Sequence, residues 1–455
     1  MTLLLKKMAD KIGLDKAVAF SSGARIVQGV SGVLTVLFLS IFLTGIEQGF
    51  YFTFGSILAL QVFFELGLTG IMTQYVAHEA SHLNLTECLC YEGEHHYVSR
   101  LASLVHFCAK WYAVVAIAAF VILMIVGFVF FARYGDEQAD VSWQIPWLLV
   151  CIGTAMKLFQ APFNSIYMGL GKVKEMSEAG FYQQIVLPIS LWIGLAMGWK
   201  LYIVGISYIL SVIVWVVYVK YNGLSPMLKN LWTEKITERV DYLKEIFPYQ
   251  WRIALSWVSG YFVFQLFNPV LFATEGAVVA GQMGMTLHAL NAIQSFSFSW
   301  LNTKVPYYSR LIALKEYTTL DLHFNRTLKQ MTSICLFLLI MFFLVIWGLN
   351  VTQFSLGGNV IADRFLGYLP SLLMMIPVYL QQYVNSWATY LRCHKKEPFL
   401  VNSICSGLTS LVCIFVFGHL YGLYGVTVTY FCIAVAFFPW GYWIFKTKKA
   451  EWHGE

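Results

Sequence analysis

The sequence predicts an all-α polytopic membrane protein: twelve transmembrane helices in two six-helix lobes related by a pseudo-two-fold along the membrane normal. Three observations lead there. Hydrophobic residues make up 58% of the 455 and charged residues only 12%, where a soluble domain is about a quarter charged. The apolar residues fall in runs close to the ~20 residues that cross a bilayer core. The second half of the chain also repeats features of the first at a nearly constant shift.

Taken in order, the expected spans are 22–44, 50–76, 107–132, 143–167, 180–198, 201–221, 248–272, 277–302, 330–349, 365–391, 398–418 and 420–445. The stretch from Met1 to Lys16 is charged and offers no short apolar core before a small-residue cleavage site, so no cleaved signal peptide is expected. Cysteines are scattered, several inside apolar runs (Cys151, Cys335, Cys413, Cys432). They read as small buried residues, not as a disulfide framework.

Orientation follows from the cations. With the N-terminus in the cytoplasm, 24 of the 30 lysines and arginines fall on the inner side and only Arg133, Lys200 and Arg364 on the outer. That asymmetry places both termini in the cytoplasm. The net charge of +6 records this topology and carries no nucleic-acid signal.

The repeat rests on three matches. Arg25-Ile26 and Val30-Ser31-Gly32 return as Arg252-Ile253 and Val258-Ser259-Gly260. Asn164-Ser165 with Leu170 and Lys174 returns as Asn385-Ser386 with Leu391 and Lys395, and Leu201-Tyr202 with Gly205 returns as Leu420-Tyr421 with Gly425. Six helices per half is an even number, so the halves enter the membrane in the same sense, an architecture of transporters. The expected organisation is an N-terminal lobe over 1–221, a cytoplasmic amphipathic linker over 222–247 and a C-terminal lobe over 248–455.

Short motifs add a resemblance. Phe64-Glu65-Leu66-Gly67-Leu68-Thr69 in the second span resembles an aspartate-leucine-glycine-leucine stretch of polysaccharide flippases. Met168-Gly169-Leu170-Gly171-Lys172 resembles their glutamine-glycine-leucine-glycine-lysine turn, and Trp300 through Pro306 to Arg310 is similar to the same family. The chain thus resembles the polysaccharide transporter branch, O-antigen flippases included, of the multidrug/oligosaccharidyl-lipid/polysaccharide superfamily. Here Glu65 stands where aspartate is common. The resemblance implies alternating-access translocation of an undecaprenyl-diphosphate-linked oligosaccharide across the bacterial inner membrane. It implies membrane lipids, a polysaccharide polymerase and chain-length machinery as partners, and neither cofactor nor metal.

A diphosphate needs cations in a wet cavity, and arginine binds phosphate with paired donors. Arg25 and Arg252, near the inner ends of the first and seventh spans, are candidates; their bland reading is snorkelling to headgroups. Lys157 is the most deeply placed cation, either lining a cavity or paired with Glu65. Lys304 marks the path or the interface. Glu65 is the candidate ion-coupling residue, and Gln28, Asn164, Gln265 and Asn385 are candidate glycan contacts.

One motif points elsewhere. His78-Glu79-Ala80-Ser81-His82 fits H-E-x-x-H, which on a helix offers two zinc ligands and a base. It falls at a span end and lacks the third-ligand motif of a membrane protease, so a polar helix end is expected. No phosphate-binding glycine loop appears, and no enzyme activity is expected. The rival within transport is a multidrug and toxin extrusion antiporter, whose cationic drugs call for a carboxylate-lined cavity. The chain offers Glu65 but more internal cations than acids.

Overall fold

The computed structural model describes residues 16–454 apart from 66, 87–88, 136–140, 357 and 395, without the side chains of a few further positions, Arg25 and Arg252 among them. Each expected span is helical. α1 is Lys16–Phe42. The second span is α2 (Gly45–Leu58), a 3-10 turn, α3 (Val62–Glu65) and α4 (Leu68–Ala80). α5 (His95–Tyr134), α6 (Gln144–Gly169), α7 (Val173–Ala196) and α8 (Tyr202–Tyr221) follow. After α9 (Ser225–Thr233) come α10 (Phe247–Phe264) and α11 (Phe267–Glu275), which together make the seventh span. Then come α12 (Ala277–Asn302), α13 (Val305–Ala313), α14 (Tyr317–Thr352), α15 (Tyr368–Arg392) and α16 (Leu400–His453). α16 holds the last two spans, broken at Gly422 (φ 55°, ψ −132°). Two short antiparallel hairpins, β1–β2 (Leu83–Leu85 with Tyr91–Gly93) and β3–β4 (Ser355–Leu356 with Asn359–Val360), decorate the loops. The 40 residues of α5 rise about 60 Å, roughly twice a bilayer core, so this helix extends well beyond its span.

The chain divides into two units: residues 1–31, 60–132 and 142–257, and residues 32–59, 133–141 and 258–455. The first is built on a core from α4, α5, α6 and α8, including Leu68, Met72, Leu104, Tyr112, Ile166 and Trp215. The second has a core that includes Leu301, Tyr308, Phe324, Trp387 and Tyr390.

The second unit takes in 32–59, a stretch that the sequence division places in the first lobe. The cause is close packing of α2 on α12. A side chain on Gly49 would fall on the Ala277 backbone, and Gly281 in turn meets Gly49. Gln48 Nε2 donates to the carbonyls of Gly281 (2.8 Å) and Arg364 (3.1 Å), and Asn268 Nδ2 donates to Ser56 Oγ (3.0 Å).

The linker is only partly helical. Met227 and Leu231 of α9 join the core of the first unit. The chain beyond α9 stays irregular up to a π turn at Tyr242–Ile246. Its backbone finds partners outside a helix: Ser99 Oγ accepts from the N–H groups of Thr237 and Glu238, both at 2.8 Å. Arg100 then ties the turn to α4, with Nη2 2.8 Å from Glu245 Oε2 and Nε 3.0 Å from Glu79 Oε1.

Candidate functional site

A cavity of about 320 Å³ lies within the first unit, lined by Glu65, Thr69, Lys157, Gln160, Asn164, Gln183 and their neighbours. Its first wall is a break in the second span. Gly67 adopts a left-handed conformation (φ 68°, ψ 11°) between α3 and α4, which costs other L-residues about 1–2 kcal/mol. Interrupted backbone at membrane depth belongs where it is buried in protein or faces a wet cavity. The break leaves Glu65 at the end of α3, where its Oε1 accepts from Thr69 Oγ1 at 2.7 Å.

The second wall is one face of α6. Lys157, Gln160, Ala161, Asn164 and Ser165 line the cavity, and helical spacing of three and four residues stacks them along one side. Lys157 is thirteen residues from the start of α6 and twelve from its end, roughly 20 and 18 Å of helix. Its Nζ lies 4.6 Å from the ring centroid of Tyr208 on α8, a cation–π contact. Pro162 interrupts the α6 hydrogen-bond ladder beside these residues.

α7 closes the site with Met176, Gly180 and Gln183. The amides of Gln160 and Gln183 bond reciprocally, at 3.3 and 3.2 Å, and Gln183 Nε2 also donates to the Ser211 carbonyl at 2.9 Å. This fixes two amides on the cavity wall. Among the described residues, neither Lys157 nor Glu65 has a charged partner within salt-bridge distance. The two share one cavity without pairing directly.

Three of the residues singled out by sequence thus meet: Glu65, Lys157 and Asn164. The others do not join them. Gln28 is exposed on α1. Lys304 is exposed at the turn between α12 and α13. Gln265 sits at the α10–α11 break, its N–H bonded to the Tyr261 carbonyl at 2.9 Å. Asn385 on α15 accepts from Gln381 Nε2 at 3.0 Å. Arg25 and Arg252 stand on α1 and α10 with side chains outside the described residues. In the H-E-x-x-H stretch, Glu79 is taken up by Arg100, and the His82 ring stacks on Tyr97 at 4.1 Å. No group of three potential metal ligands converges among the described residues.

Sequence reasoning passed over Gln160, Gln183, Thr69 and Tyr208. Gln160 was findable, being one helical turn from both Lys157 and Asn164. Gln183 was not, because only the packing of α7 on α6 brings it to the wall.

No family model and no curated protein matches the chain. Solved structures do. An inward-facing multidrug resistance MATE family transporter of the MOP superfamily aligns at TM-score 0.66 and 14% identity, over 95% of this chain and 99% of that one. The lipid II flippase MurJ, in an inward closed conformation, aligns at TM-score 0.59 and 12% identity, over 94% and 87%. A MOP superfamily transporter from Pyrococcus furiosus, described as having a binding pocket of reverse polarity, aligns at 0.51 and 13%, over 95% and 96%. The chain has the fold of the MOP superfamily transporters, a membrane fold of twelve helices in two lobes.

Proposed function

We propose that this protein is a flippase. It carries an undecaprenyl-diphosphate-linked oligosaccharide from the inner to the outer leaflet of a bacterial inner membrane by alternating access, for synthesis of a cell-surface polysaccharide. The observation that carries the reading is Lys157. It is a cation deep in a span, facing a polar cavity, with an aromatic ring beneath it and no carboxylate paired to it. Intramembrane charges are costly, and they mark substrate or ion paths when they face a cavity. An unpaired ammonium there favours an anion.

The fixed amides of Gln160 and Gln183, with Asn164, supply donors and acceptors suited to phosphate oxygens or sugar hydroxyls. Arg25 and Arg252 are placed by the reading at the cytoplasmic mouths of the first and seventh spans, where they attract the diphosphate. Lys304, Gln28, Gln265 and Asn385 are assigned to the path of the glycan. The repeat supports two lobes over 1–221 and 248–455 joined by the 222–247 linker. The cation count supports cytoplasmic termini. A polysaccharide polymerase and chain-length machinery are the proposed downstream partners.

A second reading has an observation of its own. Glu65 also lines the cavity, and a carboxylate there suits a cation antiporter of the extrusion type. Proteoliposomes decide between them. The flippase reading predicts translocation of a fluorescent undecaprenyl-diphosphate oligosaccharide by the wild type. It predicts at least tenfold loss in Lys157→Ala, about the worth of one charged hydrogen bond, and reduced uptake in Arg25→Ala and Arg252→Ala. Expulsion of an organic cation by a wild type that ignores the lipid-linked sugar would install the antiporter instead.

A further inference from the structure

Lys157 and Glu65 face the same small cavity without neutralising each other. An anion drawn to Lys157 therefore enters the field of the Glu65 carboxylate as well. At the short range of one small cavity that repulsion weakens binding, unless Glu65 loses its charge when the anion arrives. The neighbouring groups leave few ways to do so. Lys157 from α6 shares the cavity with Glu65, and the Tyr112 hydroxyl of α5 is its electrostatic neighbour on the other side. α7 offers only Met176, Gly180 and Gln183, and Tyr208 of α8 lies against Lys157. Among the described residues that line the cavity, Lys157 is the one cation.

Thr69 fits a carboxyl that changes state. Its hydroxyl donates to Glu65 Oε1 at 2.7 Å. A hydroxyl is both donor and acceptor, so by rotating it can equally accept from a protonated carboxyl.

We infer that the cavity binds its anion together with a proton on Glu65, so that anion and proton bind cooperatively. The proton comes from a hydronium ion of the solvent: one O–H bond of hydronium breaks, one forms on a Glu65 carboxylate oxygen, and a water molecule is left. This rests on the anionic-substrate reading above and adds the sign of the coupling. A cationic substrate would behave oppositely, because it and the proton would compete for the same carboxylate. Reciprocity of binding linkage makes the sign measurable from either ligand.

The experiment is calorimetric titration of the full chain in nanodiscs with inorganic pyrophosphate, from mildly alkaline to mildly acidic buffer, for wild type, Glu65→Gln and Lys157→Ala. The probe's own titration is common to all the proteins and cancels in affinity ratios. The expected result is a Glu65→Gln protein that binds about tenfold or more tightly than wild type in alkali, the gap closing as pH falls, and no binding in Lys157→Ala. Titrations in buffers of different ionisation enthalpy should show more net proton uptake on binding by wild type than by Glu65→Gln, a difference from which the probe and Lys157 cancel. A wild-type to Glu65→Gln ratio that is flat with pH, or no such difference in uptake, overturns the coupling and leaves the anion site standing. No pyrophosphate binding by wild type or Glu65→Gln, with wild type binding an organic cation dye in the same nanodiscs, overturns both.

Discussion

Lys157 is an expensive residue in a helix interior. A central lysine costs about 2.5–3.5 kcal/mol on membrane-insertion scales, and here a tyrosine face offsets only part of that. If the charge is kept for a ligand, removing it should help the fold and end the function. Lys157→Met should raise the thermal midpoint of the purified protein, by the equivalent of about 1–3 kcal/mol, while abolishing pyrophosphate binding; a lowered midpoint would mean that the ammonium holds the structure together. Lys157 and Glu65 were legible in the sequence because each breaks an apolar run. Their standing side by side without pairing was not, since that depends on the approach of α6 to the α3–α4 break. A different charge relation sits at Arg100. Its hydrogen bond to Glu245, on the π turn outside the spans, holds the Glu245 carboxyl below its ordinary range. The sign follows directly. A carboxylate whose folded pKa is depressed stabilises the fold above its unfolded value of about 4.3, and that contribution is lost as pH falls through the folded value. Melting curves against pH should therefore show wild type losing more stability than Glu245→Gln on acidification below about pH 4.3. Parallel curves would remove the network from the stability account.

Breaks within helices carry as much information as the helices. Hydropathy reads 50–76 and 248–272 as unbroken spans because an average over ~20 residues cannot see one residue in a left-handed turn. The structure interrupts both, at Gly67 and at Gln265-Leu266. Gly67→Ala forces a Cβ into the left-handed region and should cost about 1–2 kcal/mol in thermal unfolding, with Glu65 displaced from Thr69; an unchanged midpoint would mean that the break relaxes. The break in α16 is harder to relieve. Gly422 has φ 55° and ψ −132°, and a side chain there would strike the Glu275 carboxylate. Glu275 Oε1 accepts from the Leu423 N–H at 3.1 Å, so an acidic group caps the helix that follows. Gly422→Ala should destabilise by about 1–3 kcal/mol and Glu275→Ala by about 1 kcal/mol, with the double variant less than additive because the two share a contact. The sequence did place a boundary near this point, through the repeated Leu-Tyr dipeptide. The linker was less legible. Leu228, Leu231 and Val240 suggest one amphipathic helix, yet Ser99 supplies the acceptor that lets the chain leave the helix after α9.

At the scale of the whole chain, composition and span count were enough for the fold, because a membrane demands long apolar helices and leaves few other solutions. The membership of 32–59 was not legible. It is decided by Gly49 against Ala277 and by Gln48 reaching Gly281, partners more than two hundred residues apart. The proposed substrate rests on the cavity lined by α3, α4, α6 and α7. The direct measurement is substrate protection of a single cysteine. With the native cysteines replaced, Gln160→Cys protein in proteoliposomes is treated with a water-soluble maleimide, alone or with the undecaprenyl-diphosphate oligosaccharide. The account predicts that the thiol reacts when the cavity is unoccupied and that the lipid-linked sugar slows the reaction at least tenfold, the protection vanishing when Lys157→Ala is added. Labelling that the lipid-linked sugar leaves unchanged and an organic cation blocks would contradict it.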